Sequence, residues 1–182
     1  RPGLMGGEDV TGRIDVVGSD PEEVLPGSDV ILWCGPVSVT PAAFRSIAPT
    51  VRSMASSSST GGSSPYVGTL FAQGCSHLLG RSVFGTDIPY IALQNIPWLC
   101  ATIEPGKVAR IVGNKQYTKM ATSNGASFTW AKKFLEPCFG DCTGTGFAGP
   151  EVVPLNDFAA VVLNPANQII HPAQSHACIR AS

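Results

Sequence analysis

The sequence predicts an α/β fold built on a mostly parallel sheet. Short apolar runs alternate with segments of helical periodicity along most of the 182 residues, which is the order expected of βαβ units. The run within residues 29–34 is continuously apolar, as in a strand of a parallel sheet that is covered on both faces. Hydrophobic residues make up 43% of the chain and charged residues only 14%, a balance that excludes a disordered chain.

The first elements follow each other over the N-terminal third. Residues 13–17 are β-branched and predict a strand. Asp20 is placed as the cap of a short helix, with Pro21 at its first position. Residues 29–34 predict a second strand, and Gly35-Pro36 ends it.

The middle of the chain repeats this alternation. Thr40-Pro41 opens a helix whose apolar residues recur at helical spacing as far as Val51. The Ser- and Gly-rich residues 53–64 predict a surface loop. A strand at 66–71, a short helix at 75–83 and a strand at 88–93 come next.

The last elements are shorter and less regular. Glycines flank a strand predicted at 107–112, and a helix is predicted at 128–134. Residues 137–150 are rich in Gly and Pro and predict a loop, followed by a brief strand at 151–154. Residues 158–163 are equally compatible with a helix or a strand.

Charge and cysteine content narrow the classes of partner. A net charge of −1 and a pI of about 6.3 argue against nucleic acid or an anionic membrane as partner. No run reaches the roughly 18 apolar residues of a membrane span.

Six cysteines are too sparse for a disulfide scaffold, so reduced thiols and a cytoplasmic location are expected. Cys34 and Cys100 are predicted to be buried, and Cys138 and Cys142 lack further ligands at zinc spacing, so no metal is expected.

One glycine-rich string matches a dinucleotide-binding fingerprint. Gly144, Gly146 and Gly149 have the Gly-x-Gly-x-x-Gly spacing, which works where a strand turns into a helix. No strand pattern precedes these glycines, and Pro150 follows them. The string is therefore interpreted as a Gly-rich turn.

His171 lies in the segment with the strongest chemical signal. Polar residues, Asn167 among them, interrupt an apolar stretch there, and a helix would place Asn167 and His171 on one face. Histidine is the usual acid-base group near neutral pH, but a structural histidine fits the same pattern. His77 and His176 carry no comparable pattern.

Two further positions follow predicted strands. Gln73 comes after the strand at 66–71, and Cys100 follows the strand at 88–93. Ligands of open α/β sheets bind beyond the carboxyl ends of the strands. An ordinary loop or core role remains an alternative for both residues.

Several strings, in order, resemble the opine dehydrogenase family of octopine and nopaline dehydrogenases. They extend over about residues 13–174. The strings are Gly27-Ser-Asp-Val-Ile-Leu-Trp-Cys-Gly-Pro36, Phe44-Arg-Ser-Ile-Ala-Pro49, Phe71-Ala-Gln-Gly74, Asn95-Ile-Pro-Trp-Leu-Cys100, Val112-Gly-Asn-Lys115 and Asn164-Pro-Ala-Asn-Gln-Ile-Ile-His-Pro172.

The resemblance implies an NAD(P)H-dependent reductive condensation of an amino acid with an α-keto acid such as pyruvate. It makes His171 the catalytic acid-base residue and Asn167 a substrate-binding residue. Gln73 and Cys100 match positions on the amino-acid side of the cleft in some members. Gly35 and Pro36 match the loop that passes the NAD or NADP cofactor.

The resemblance also sets the expected domains. Residues 1–163 are expected to form an incomplete, Rossmann-like, doubly wound domain that lacks its first βαβ elements. Residues 164–182 are expected to begin the connection to a helical substrate domain that is itself missing. On this interpretation the 182 residues alone have little or no dehydrogenase activity.

Two other functions remain open at this stage. One is a different two-domain NAD(P)-dependent dehydrogenase of 2-keto or 3-hydroxy acids. The other is an inactive, truncated paralogue that acts as a binding module.

Overall fold

The computed structural model describes residues 12–57, 64–123, 126–140 and 149–162. The helices in these ranges are α1 (Pro21–Val24), α2 (Thr40–Ser57), α3 (Ser76–Phe84), α4 (Phe128–Phe139) and α5 (Phe158–Val162), with a 3-10 turn at Val37–Val39. The strands are β1 (Val30–Trp33), β2 (Tyr66–Thr69), β3 (Tyr90–Leu93), β4 (Trp98–Glu104), β5 (Val108–Asn114), β6 (Tyr117–Thr122) and β7 (Glu151–Pro154).

Five of these strands form one sheet in the order β1-β2-β3-β6-β7. The pairs β1-β2, β2-β3 and β6-β7 are parallel, whereas β3 and β6 are antiparallel. The sheet is thus mostly parallel, and the predicted α/β class is confirmed.

Helices cover both faces of this sheet. On one face, Phe44 of α2 and Phe84 of α3 pack against Tyr90 of β3, with Val161 of α5 in the same buried cluster. On the other face, Leu135 of α4 belongs to the cluster that buries the alternate residues of β3. All four residues of β3 are buried, as expected for a strand covered on both sides.

The predicted N-terminal cap of α1 is correct. The Asp20 carboxylate accepts a hydrogen bond from Glu22 N at 2.9 Å, and Pro21 occupies the first position of α1. Pro has no N–H to satisfy there, and its fixed φ suits the helix.

The predicted strand at 13–17 is wrong. These residues have no strand conformation, and Ile14 is 74% exposed and Val17 84% exposed. A strand needs a neighbour to receive its backbone hydrogen bonds. Within the described ranges, the sheet contains no strand that pairs with this segment.

Two predicted loops start too early. Helix α2 continues to Ser57, although a loop was expected from residue 53. Helix α4 passes through Pro137 to Phe139, although a loop was expected from residue 137. Burial of Leu135 and Phe139 stabilises the last turns of α4 despite the proline.

Two strands were not predicted. Strand β4 pairs with β5 to form a separate two-stranded sheet, called here the hairpin (residues 98–114). Strand β6 lies between β3 and β7 in the main sheet. The brief strand at 151–154 is confirmed, and Phe158–Val162 is the helix of the two alternatives.

None of the helices in the described part of the chain is long and apolar enough to cross a membrane. The predicted boundary between residues 1–163 and 164–182 lies beside the last described residue. It stays a prediction.

Candidate functional site

The parallel strands β1 and β2 end at the same edge of the sheet, with the end of β3 beside them. This carboxyl edge is where ligands bind in open α/β sheets. Gly35 and Pro36 follow β1, and Gln73 follows β2. The structure therefore brings these three predicted site residues to one edge.

The loop after β1 is held by Trp33 and Thr40. The Trp33 indole Nε1 donates to Thr40 Oγ1 at 2.9 Å, and the Thr40 hydroxyl donates to the Pro36 carbonyl at 3.3 Å. Thr40 is only 4% exposed. A Cβ at Gly35 would overlap Cζ2 of the Trp33 ring. The packing of this indole therefore requires glycine at position 35.

The loop after β2 touches the loop after β1. Gly74 has φ +61°, a conformation that favours glycine, and a Cβ there would lie 2.7 Å from Val37 Cγ1. Cys75 also has a positive φ, 55°, and precedes α3. The backbone N of Ala72 donates to Leu93 O at 2.9 Å, which ties this loop to β3.

Gln73 is half-buried and lies between Ala72 and Gly74 in this loop. Its backbone N donates to Phe71 O at 3.0 Å, and Gly74 follows directly. Its amide side chain offers both hydrogen-bond donors and acceptors at the carboxyl edge. This chemistry suits the carboxylate or amine of a small polar ligand.

Cys100 lies on the hairpin rather than in the main sheet. It is exposed and pairs with Ile111 across the two strands. The predicted burial of Cys34 and Cys100 is wrong, because Cys34 follows β1 at the edge of the described sheet and Cys100 lies on a hairpin that the described helices leave exposed. Partial desolvation raises the pKa of the Cys34 thiol.

A second polar cluster lies where α3 meets the sheet. The hydroxyls of Thr69 and Ser76 are 3.4 Å apart. Burial raises the pKa of the nearby Tyr90 phenol, and the neighbouring Ser76 and Thr69 hydroxyls oppose that shift. The Tyr90 ring packs against Gly80, where a Cβ would lie 2.6 Å from Tyr90 Cε2. This packing makes the cluster part of the core.

His77 packs beside this cluster. Its ring stacks on Phe158 of α5 with centroids 4.9 Å apart and an interplanar angle of 5°. Desolvation lowers the pKa of His77, while Asp157 raises it and Arg81 lowers it further. No local sequence pattern predicts this contact, because Phe158 is 81 residues away along the chain.

The remaining predicted site residues lie outside the described ranges. These are the catalytic candidate His171 and the substrate-binding candidate Asn167. Most of the Gly144–Gly149 string is also outside them. Where the structure is described, no group of three or more His, Cys, Asp or Glu side chains is arranged to hold a metal ion.

Sequence reasoning missed Trp33 and Thr40. No local pattern marks them, because the direction of the two side chains decides whether they meet across the turn. Thr40 was interpreted only as the start of a helix. Its hydroxyl is instead the link between the indole and the Pro36 carbonyl.

Comparison with known proteins gave matches among solved structures. No protein-family model matches the chain, and no curated protein matches it. Octopine dehydrogenase with NADH and L-arginine aligns at TM-score 0.71 and 21% identity, covering 88% of this chain and 36% of that chain. Octopine dehydrogenase with NADH and agmatine aligns at 0.67 and 20%, covering 82% and 34%.

A second kind of enzyme shares the fold less closely. A PanE/ApbA family ketopantoate reductase from Ralstonia eutropha JMP134 aligns at TM-score 0.50 and 15% identity, covering 78% of this chain and 39% of that chain. The chain therefore has an opine dehydrogenase-like, Rossmann-like fold. It spans 36% of the length of the octopine dehydrogenase that it matches with TM-score 0.71.

Proposed function

We propose that the chain is part of an NAD(P)H-dependent opine dehydrogenase. Such an enzyme joins the amine of an amino acid to an α-keto acid such as pyruvate and reduces the product. The fold supports this proposal, since octopine dehydrogenase structures hold NADH with L-arginine, pyruvate or agmatine. The observation that carries it is the contact of the Gly35–Pro36 loop with the Gln73 loop at the carboxyl edge.

The loop after β1 suits the passage of a dinucleotide. Residues 34–37 carry no charged side chain, so nothing in this loop repels the cofactor's phosphates or demands a counter-ion. We assign Gly35 and Pro36 to the nicotinamide end of NAD or NADP. The bound cofactor supplies the hydride, and the protein orients it. No residue is assigned to the pyrophosphate.

The substrate and acid-base roles fall to four residues. An imine formed from the amine and the keto acid needs a proton when hydride reaches its carbon. His171 is proposed to hold that proton, because a histidine titrates near neutral pH. Asn167, Gln73 and Cys100 are proposed to contact the amino acid and keto acid.

A second candidate is a dehydrogenase that reduces a keto acid without an amine. The ketopantoate reductase match favours it, because that fold serves a keto acid reductase. Both candidates use the carboxyl edge of the same sheet. The requirement for an amine separates them.

The test is NADH or NADPH oxidation by the full-length polypeptide that contains these residues, given pyruvate with and without an amino acid. Oxidation that requires the amino acid supports the proposal. Equal oxidation without the amino acid favours the second candidate. No oxidation under either condition contradicts both candidates and favours an inactive protein that acts as a binding module. In the active protein, His171→Gln should lower kcat by about 10²–10⁴-fold, whereas the matched control His176→Gln should not.

A further inference from the structure

The loop assigned to the cofactor is held by a brace made of Trp33 and Thr40, two residues to which no ligand contact is assigned. Trp33 is the last residue of β1, and Thr40 is the first residue of α2. The indole N–H donates to Thr40 Oγ1, and that hydroxyl donates onward to the Pro36 carbonyl. The brace thus ends on the backbone of a residue assigned to the cofactor.

The geometry leaves the loop dependent on this brace. Pro36 is exposed, so few core contacts hold it in place. The Trp33 ring lies against Gly35 and occupies the space of a side chain there. The indole therefore packs on Gly35, and the Thr40 hydroxyl holds the Pro36 carbonyl.

The same loop positions its neighbour. Val37 follows Pro36 directly and packs against Gly74, which follows Gln73. A shift of the Pro36 carbonyl would move Val37 as well. The brace therefore acts first on the cofactor loop and, through Val37, on the loop that carries Gln73.

We propose that Trp33 and Thr40 are positioning residues that set the Gly35–Pro36 loop for the nicotinamide dinucleotide. This inference rests on the proposed function. It goes further by assigning cofactor affinity to an indole–hydroxyl–carbonyl chain outside the ligand contacts. The hydroxyl of Thr40 is the link, since both hydrogen bonds pass through it.

The experiment compares three variants of the full-length polypeptide in steady-state kinetics. Thr40→Val keeps the shape and removes the hydroxyl, whereas Thr40→Ser keeps the hydroxyl. Ser46→Ala is the matched control, since Ser46 lies on the same helix and donates to Ala43 O at 2.8 Å, away from the loop. The thermal midpoint of each variant is measured alongside.

We expect Thr40→Val to raise the KM for NADH about fivefold, the ratio that corresponds to one hydrogen bond of about 1 kcal/mol. Its kcat should stay near that of the unchanged protein, and its KM for the keto acid, affected only through Val37 and the Gln73 loop, should change less than its KM for NADH. Thr40→Ser should restore the KM for NADH to within about twofold, and Ser46→Ala should not alter it.

The outcomes separate this inference from the function on which it rests. If Thr40→Val has the same KM for NADH as the unchanged protein, the inference is wrong and the proposed function stands. If Thr40→Val lowers kcat and the thermal midpoint without a selective rise in that KM, the brace is merely structural and the inference is again wrong. If the unchanged protein neither binds nor oxidises NADH or NADPH, the proposed function fails and the inference fails with it.

Discussion

Strand β3 and the hairpin follow each other in sequence and have opposite environments. Ile91, Ala92 and Leu93 of β3 are 0% exposed. Residues 99–111 of the hairpin are all exposed, including Leu99 at 67% and Ile103 at 53%. Helices cover β3 on both faces, whereas the hairpin forms a sheet of its own.

The contrast shows that similar strand sequences are held by different forces. Burial stabilises β3, because its apolar surface is removed from water on both sides. A two-stranded hairpin is marginal by itself and needs an anchor. Trp98 supplies one: its Nε1 donates to Phe139 O at 2.9 Å, and its ring meets the Phe139 ring edge-on at 5.6 Å.

The largest expected effect compares the same residue type in the two regions. Leu93→Ala should lower the free energy of unfolding by about 3 kcal/mol, because it leaves a cavity among packed residues. Leu99→Ala should change it by less than about 0.5 kcal/mol, because that side chain already faces water. Urea denaturation of both variants measures the difference. Equal losses would mean that the hairpin is packed as tightly as the sheet.

A smaller effect should appear at the base of the hairpin. Trp98→Phe keeps an aromatic ring but removes the N–H bonded to Phe139 O, and should cost about 1 kcal/mol. Hydrogen exchange should accelerate across residues 99–113 more than in β3, because the hairpin loses its anchor.

The control for this substitution is Trp130→Phe. Trp130 is 37% exposed and stacks on Tyr66 at 4.3 Å, a contact that phenylalanine retains. Hairpin exchange should be unchanged in this variant. Acceleration in both variants alike would count against Trp98 as the specific anchor.

The smallest expected effect is a change of the free energy of unfolding with pH that comes from His77 of α3 and not from the hairpin. The folded state lowers the pKa of His77 below its ordinary value of 6.5, chiefly by desolvation. The folded protein therefore binds fewer protons than the unfolded chain just below that value. Stability from this residue is present above pH 6.5 and declines as the pH falls through 6.5 towards the lowered pKa.

His77→Phe keeps a ring against Phe158 and should remove that part of the pH dependence. Urea denaturation at a series of pH values gives the difference between the variant and the unchanged protein. The hairpin offers the matched substitution, Glu104→Gln. The Glu104–Lys107 pair is largely exposed and contributes little to stability. This change should therefore leave the decline of stability below pH 6.5 in place. If the decline persists in His77→Phe, another titrating group causes it.

Much of the fold was predictable because it depends on local pattern. Strands β1, β2 and β3 were predicted from short apolar runs. Strand β3 is fully buried, whereas β1, at the edge of the sheet, is only half-buried. Strand β6 was missed, because Tyr117–Thr122 shows neither strict alternation of polar and apolar residues nor a continuous apolar run. Its antiparallel place between β3 and β7 depends on residues far away in sequence.

The place of Gly35, Pro36 and Gln73 at the carboxyl edge was predictable, but the contacts that hold their loops were not. Gly35, Pro36 and Gln73 were placed at strand ends, and the parallel pairing brings those ends together. Cys100 was placed after β3, but the structure puts it on an exposed hairpin. The Trp33–Thr40–Pro36 chain escaped prediction because side-chain direction sets it.

The sequence by itself determined the alternation of strands and helices, since hydrophobic spacing, Asp20, Pro21 and the glycines act over a few residues. Only the tertiary structure decided which segments found partners. Among the residues that the structure describes, it left 13–17 outside the sheet, inserted β6 into the main sheet and kept the hairpin apart from it. The physical reason is that a strand exists only where another backbone completes its hydrogen bonds and other side chains cover its faces.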